Sequence, residues 1–281
     1  MGRKQTASRH IVKYRMMKGA EAEDDVAVEY PLTIVLNGEE WATVVCTPSD
    51  LEDMVLGFLA AEGIVRFPAQ IQSLTIDEPG GFAYVETEQR QSVPKGDVMK
   101  RLIGSCCGKS RHIYFLNDAK TAKTVATSLH IPAEDCFRFM NRLHEMSASF
   151  RQTGGVHNAA LFSPTDVVVA RTDIGRHNAL DKIYGYCLKH RIPVDDKLIV
   201  FSGRVSSEVL LKISKIGVGI LLSKSAPTDL AIDLADELNV TVVGFIRGNS
   251  FNVYTHPHRI KGLNFKGGRS QHGHRHDIAH S

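Results

Sequence analysis

The sequence contains no apolar run approaching the ~18–20 residues that a membrane-crossing helix needs. No secretory hydrophobic stretch follows its basic start, Met1 to Ala7. A cytoplasmic protein with no membrane partner is therefore expected. Charge of one sign is also scarce, since 34 Lys and Arg against 31 Asp and Glu leave a net +3. That balance does not call for a nucleic-acid partner, and it suits an anionic ligand as well as no charged partner. The five cysteines are an odd number at irregular spacing and form no disulfide framework. No cysteine pair or Cys–His set has the spacing of zinc ligands, so neither zinc nor another bound metal is expected. GxxxxGK[ST] and GxGxxG loops are both missing, which excludes an ordinary ATPase and a Rossmann dehydrogenase.

What is present falls into four stretches. Residues 1–28, polar and basic and then acidic from Glu21 to Asp25, are expected to form a mobile lead-in. Residues 29–130 form a β-rich portion. Within it, Leu32 to Leu36 and Trp41 to Cys46 flank Asn37-Gly38, the strongest short hairpin signal. Thr47-Pro48-Ser49-Asp50 opens a helix over Leu51 to Ile64, with Ser or Asp as the cap. Leu74 to Asp77 and Phe82 to Glu86 make a second hairpin through Pro79-Gly80-Gly81. Residues 131–260 begin with a helix over Pro132 to Phe150, whose Phe139, Leu143, Met146 and Phe150 fall on one face. Strands at Val167–Ala170, Leu198–Phe201, Ile220–Leu222 and Val240–Ile246 then alternate with helices near Ala179–His190, Glu208–Ile216 and Thr228–Leu238. That alternation predicts βα units and a largely parallel sheet. Residues 261–281 are a Gly- and His-rich tail expected to be flexible.

Gly104-Ser105-Cys106-Cys107-Gly108-Lys109-Ser110-Arg111 is the most unusual local sequence. Small neighbours allow close approach, and the adjacent cations favour the thiolate. A thiolate can take a sulfane sulfur, hold it as a persulfide and release it to an acceptor. An incidental buried pair is the bland alternative. Cys46, Cys136 and Cys187 share apolar stripes with Ala42 and Val44, with Phe139 and Leu143, and with Leu180 and Ile183 respectively, and read as core.

Four polar loops follow the strands of the α/β portion. They are Arg171 to Asn178 (with Asp173, Arg176 and His177), Ser202-Gly203-Arg204 to Ser207, Ser223 to Thr228, and Arg247-Gly248-Asn249-Ser250. Ligands of parallel α/β sheets bind at the carboxyl ends of the strands, where helix N-termini, hydroxyls and Arg side chains receive anions. Two readings stand open for Asp173, an acceptor for a purine edge or ribose and an ordinary helix-start carboxylate. Two also stand open for His157, in Thr153-Gly154-Gly155-Val156-His157-Asn158-Ala159: lining a ligand cleft, or an internal hydrogen bond. A base deaminase would need His-x-Glu here and a later Pro-Cys-x-x-Cys, and the sequence has neither.

Taken in order, the cysteine segment, Thr153 to His157, Asp173-Ile174-Gly175-Arg176-His177-Asn178-Ala179-Leu180-Asp181-Lys182, Ser202-Gly203-Arg204 and Tyr254-Thr255-His256 resemble the FdhD family of formate dehydrogenase accessory sulfurtransferases. The resemblance runs from about Tyr30 to Ile260. It implies a cytoplasmic homodimer with a cytidine-deaminase-like α/β domain. Such a protein would accept sulfur from a cysteine desulfurase and deliver it to the molybdenum bis-guanine-dinucleotide cofactor of formate dehydrogenase, bound as substrate. It further implies that Phe245-Ile246-Arg247-Gly248-Asn249-Ser250 is the strongest cofactor-binding segment, with Asp173, Arg176, His177, Ser202, Gly203, Arg204 and His157 lining the same cleft. Many members carry Cys-Gly-x-Cys, whereas here Ser110 stands at the second position. Aligning on the shared glycine makes Cys107 the persulfide carrier and Cys106 its assistant. The rival expectation is a cofactor-binding chaperone that moves no sulfur.

Overall fold

The computed structural model describes residues 3–88, the backbone of 102–103, and residues 122–263. The cysteine segment and the tail from 264 lie outside the described residues. Two packed units account for most of the described chain. The first is a five-stranded sheet, ordered β5-β6-β3-β4-β7, from β3 (Tyr30–Leu36), β4 (Glu39–Cys46), β5 (Ile71–Asp77), β6 (Phe82–Thr87) and β7 (Leu102–Ile103). Asn37 and Gly38, with φ of 51° and 85°, make the tight turn between β3 and β4 that their sequence signals. Helix α1 (Leu51–Ala61) lies on this sheet, and Leu32, Ile34, Val44, Met54, Phe58 and Val85 share one core. All of α1 except Glu52 is buried, because its opposite face meets the second unit.

That unit is a six-stranded sheet ordered β10-β9-β11-β12-β13-β14, built from β9 (His157–Phe162), β10 (Val167–Asp173), β11 (Leu198–Phe201), β12 (Ile220–Ser223), β13 (Thr241–Arg247) and β14 (Ser250–Val253). On one face, α4 (Arg176–Lys189), α5 (Ser207–Ile216) and α6 (Asp229–Glu237) pack over Leu161, Ile199, Phe201, Leu221 and Val242. On the other, α2 (Ala133–Met146) covers Phe162, Leu198, Val200, Ile220, Leu222 and Val243. Burial on both faces explains why β11 and β12 read as unbroken apolar runs. A two-stranded clip, β8 (Ile131–Pro132) with β15 (Ile260–Lys261), closes the α2 side. No helix among the described residues is long and apolar enough to cross a membrane.

The largely parallel sheet expected from the sequence is a mixed one. Only β11–β12 and β12–β13 pair in parallel, while β9–β10, β9–β11 and β13–β14 are antiparallel. The polar word around His157 hid β9, which turns through Ser163 to Asp166 into β10 and inserts that hairpin beside β11. Within residues 1–28, expected as a mobile lead-in, β1 (Thr6–Arg15) and β2 (Lys18–Ala27) pair as a hairpin. Its turn is Met16-Met17, both at positive φ of 47° and 63°. No Gly or Asn marks such a turn in the sequence, so it carried no signal. The expected helix over Pro132 to Phe150 breaks at Ser147, whose hydroxyl donates to the Leu143 carbonyl at 2.6 Å, and resumes as α3 (Ala148–Thr153). Asp50 does not cap α1 through its side chain. It sits in the left-handed region, and its carboxylate faces Arg171 at 3.4 Å.

The units meet where α1 crosses α4 through glycines. A Cβ on Gly57 would lie 1.8 Å from the Asp181 carbonyl oxygen, and one on Gly185 equally close to that of Asp53. Only hydrogen at both positions allows backbones this near. Beside the crossing, the Arg171 guanidinium pairs with Asp53 at 2.5 Å and stacks 4.9 Å from the Tyr186 ring centroid. Lys215 donates to the Ala61 carbonyl at the end of α1, where unpaired carbonyls favour a cation.

Candidate functional site

Strands β10, β11, β12 and β13 run in the same direction, so their carboxyl ends and the four polar loops share one sheet edge. The start of β9, His157, lies there too, opposite Asp173. Main chain and hydroxyls stitch this edge together. Ser202 donates its N–H to the Asn158 carbonyl at 3.0 Å, and its hydroxyl receives the Asn158 N–H at 2.9 Å. Ser225 donates to the Ser202 carbonyl at 3.2 Å, and the Phe245 N–H donates to the Ser225 carbonyl at the same distance. The Ser223 hydroxyl donates to the Gly203 carbonyl at 2.9 Å. A Cβ on Gly203 would come within 2.8 Å of the Phe201 ring, so glycine lets the chain fold back against that ring.

Arg204, Lys224 and Arg247 are exposed along this edge, and the loops that carry them contain no acidic residue. Arg247 also donates to the Lys224 carbonyl at 3.3 Å, and its guanidinium lies 5.6 Å from the Phe245 ring centroid. Phe245 is exposed at φ 53°, a conformation uncommon for a bulky residue, set in an irregularity of the β13–β14 pairing. The edge thus offers fork-shaped cations, serine hydroxyls already tied into the loops, and one aromatic face, a set suited to a phosphate-bearing ligand with a planar ring. Burial, and then the charge of Arg176, hold His157 below the ordinary histidine pKa, against the opposing pull of Asp173. Neutral at pH 7, this imidazole has one donor and one acceptor nitrogen to offer.

Behind the loops lies a buried polar network. One Asp173 oxygen accepts the Gly175 N–H at 2.8 Å and the Asn178 amide at 2.9 Å, and the other accepts the Thr47 N–H at 2.9 Å. The same second oxygen pairs with the Lys182 ammonium at 2.8 Å, both side chains being fully buried. Lys182 also donates to the Thr47 and Thr172 carbonyls, at 3.2 and 3.1 Å. Thr47 accepts the Ile174 N–H on its hydroxyl, and Asn178 donates to the Val45 carbonyl. A second buried pair joins Lys212 to Asp181.

Three of the residues expected at the ligand cleft are engaged within the protein itself. Asp173 has four donors from the chain itself and no exposed surface, so it fixes the loop. Ile246 points into the core beneath α2, because side chains alternate along β13 and its neighbours Phe245 and Arg247 face out. His177 turns toward α5, with Nε2 3.1 Å from the Glu208 carboxylate. Arg176, His157, Ser202, Gly203, Arg204, Phe245, Arg247, Gly248, Asn249 and Ser250 come together at or beside the edge. Cys106 and Cys107 lie outside the described residues. Lys224 and Ser225, in a loop the sequence marks as polar, stand at the same edge, although the resemblance did not single them out. Asn178, Lys182 and Thr47 gave no local signal, since their partners lie as far as 135 residues away. Among the described residues no group of three or more His, Cys, Asp or Glu is placed to hold a metal ion.

Known proteins resemble this chain along most of its length. The model of the FdhD/NarQ family matches residues 27–261. A protein named sulfur carrier protein FdhD from Geobacillus kaustophilus is 61% identical over 252 residues, covering 90% of this chain and 96% of the relative. The protein of the same name from Bacillus subtilis is 54% identical over 261 residues, covering 93% and 100%. Among solved structures, a protein described as a formate dehydrogenase accessory protein, from Desulfotalea psychrophila, superposes with a TM-score of 0.75 at 26% identity, over 92% of this chain and 100% of that one. The chain belongs to the FdhD/NarQ family.

Proposed function

We propose that this protein is a sulfur carrier for formate dehydrogenase. Cys107 takes up sulfur as a persulfide from a cysteine desulfurase. It then passes that sulfur to a molybdenum bis-guanine-dinucleotide cofactor held at the loop-lined edge. The names of the relatives support the carrier role and the client. One geometric observation supports bringing thiol and ligand together. β7 ends at Ile103 opposite Val44, and the next residues of β4 and its exit, Val45 and Thr47, are bonded to Asn178 and Asp173 of the first ligand loop. Cys106 follows Ile103 by three residues, and three residues of chain reach at most about 11 Å.

The chemistry fits a thiolate flanked by Lys109 and Arg111. In loading, the Cys107 thiolate attacks the sulfane sulfur of the donor persulfide. A new S–S bond forms, the old one breaks and the donor thiolate leaves, with no net oxidation. In delivery the terminal sulfur passes to the acceptor and the Cys107 thiolate is regenerated. For that sulfur to end as a sulfide ligand, the acceptor would have to supply two electrons, as a reduced metal centre would. The basic edge with Phe245 and neutral His157 receives the nucleotide part. In this reading the protein is a cytoplasmic homodimer, and its α/β unit is a cytidine-deaminase-like scaffold that binds a nucleotide without deaminating it.

Intact-protein mass after incubation with a cysteine desulfurase and cysteine is the direct test. Wild type and Cys106→Ala gain a reducible sulfur atom, and Cys107→Ala does not. Loss in Cys106→Ala alone would move the carrier to that residue. Absence of any adduct on wild type would leave a cofactor-binding chaperone, which would still activate formate dehydrogenase with both cysteines replaced.

A further inference from the structure

We infer that the Thr47–Asp173–Asn178–Lys182 network is a clamp that sets where the strand leading to the cysteine pair ends relative to the ligand loop, and that Thr47 and Asn178 are positioning residues for sulfur delivery. The inference rests on the function proposed above and goes beyond it, because none of these four side chains need touch ligand or sulfur.

The clamp is a closed set of bonds between two chain segments far apart in sequence. On one side is the exit of β4, where Val45 offers its carbonyl and Thr47 offers its N–H, hydroxyl and carbonyl. On the other is the turn from β10 into α4. The Thr47 N–H donates to Asp173 while its hydroxyl accepts from the Ile174 N–H, so residue 47 is held by consecutive residues of the ligand loop. Asn178 bridges in the same way, donating to Val45 and to Asp173 at 2.9 Å each. Lys182 lies under both segments and donates to each. β7 is hydrogen-bonded to β4 immediately before this point, with Leu102 opposite Thr43 and Ile103 opposite Val44. Arg176 follows Asp173 by three residues, as the first residue of α4.

A direct hydrogen bond is a stiff link. Positioning to within a fraction of an ångström governs group transfer far more than it governs binding of either reactant alone. Loosening the clamp should therefore spare the two half-reactions and impair their combination. A salt bridge present merely for stability would give no such division. Asp173 and Lys182 are unsuitable as probes, because removing either strands the other charge in the core. Thr47→Val keeps shape and backbone bonds and deletes the hydroxyl that accepts from Ile174. Asn178→Ala cuts the bridge to Val45 without touching Thr47, and serves if the valine variant does not fold.

The experiment uses the full-length chain and three readouts: sulfur loading by a desulfurase, measured by mass; affinity for guanosine diphosphate; and formate dehydrogenase activity restored in cells lacking the carrier. The expected result for Thr47→Val is loading and nucleotide affinity within about twofold of wild type, with restored activity down about tenfold or more. Thr47→Ser, which keeps the hydroxyl, should recover it. Wild-type activity in both Thr47→Val and Asn178→Ala overturns the clamp and leaves the carrier function standing. So does a parallel fall in all three readouts, the mark of a purely structural role. Failure of the wild-type protein to take up sulfur removes the carrier reading itself, and the clamp with it.

Discussion

At the scale of single residues, environment decides which thiols can react. Burial pushes the Cys46, Cys136 and Cys187 thiols up to about 12, with nearby carboxylates adding to the shift. At pH 7.5 fewer than one in about 10⁴ of such thiols is ionised. Native protein treated briefly with iodoacetamide at that pH is expected to be alkylated within the Cys106-Cys107 peptide and not at these three, as peptide mass mapping would register. The same shifts fix a sign for alkaline stability. A thiol whose folded pKa lies above its unfolded value of 9 contributes nothing adverse below pH 9, and the unfolded chain is favoured progressively between pH 9 and 12. Denaturation midpoints should accordingly decline across that window, and a flat profile would contradict the burial. These three cysteines were legible in the sequence because each repeats with apolar neighbours at the period of its own element. Asp173 was not, since a carboxylate at a helix start looks the same whether it faces a ligand or is buried under Thr47 and Lys182.

At the scale of elements, the glycine crossing of α1 and α4 decides between two opposed expectations for one substitution. Gly→Ala inside an exposed helix stabilises by roughly 0.5–1 kcal/mol through backbone entropy. At Gly57 the new methyl would stand 1.8 Å from the Asp181 carbonyl oxygen, so the helices must separate. Overpacking of this kind costs about 1–3 kcal/mol and outweighs the entropy gain. Gly57→Ala should therefore lower the urea midpoint, and a raised midpoint would show that the two helices accommodate a methyl group without strain. Local pattern reveals elements well and their pairing poorly. The Asn37-Gly38 hairpin and the helices α4 to α6 were readable from turn chemistry and period. The Met16-Met17 turn, strand β9 and the break at Ser147 depend on interactions that composition does not encode. Hence the mixed sheet was read as largely parallel: the strands that run one way, β10 to β13, were visible, and the two that run against them, β9 and β14, were not.

At the scale of the whole molecule, the question is whether two units with separate cores behave as one. Their contact combines backbone-to-backbone approach at Gly57 and Gly185, the Arg171–Asp53 pair and the clamp around Thr47. Unfolding either unit alone would expose the buried face of α1 and strand Asp173 and Lys182 without their bonds to Thr47. Cost on that scale couples domains into one transition. The chain carries a convenient pair of reporters. Its single tryptophan, Trp41, packs 5.4 Å from the Phe58 ring and reports on the first unit. Helices α2 to α6 all belong to the second or its margin and dominate the far-UV circular dichroism. In wild type the two signals should follow one urea curve. In Gly57→Ala, with α1 pushed off α4, tryptophan fluorescence should change at lower urea than the dichroism. Coincident curves in the variant as well would mean that the clamp at Thr47, rather than the helix crossing, carries the coupling between the sheet that leads to the cysteine pair and the sheet that carries the polar loops.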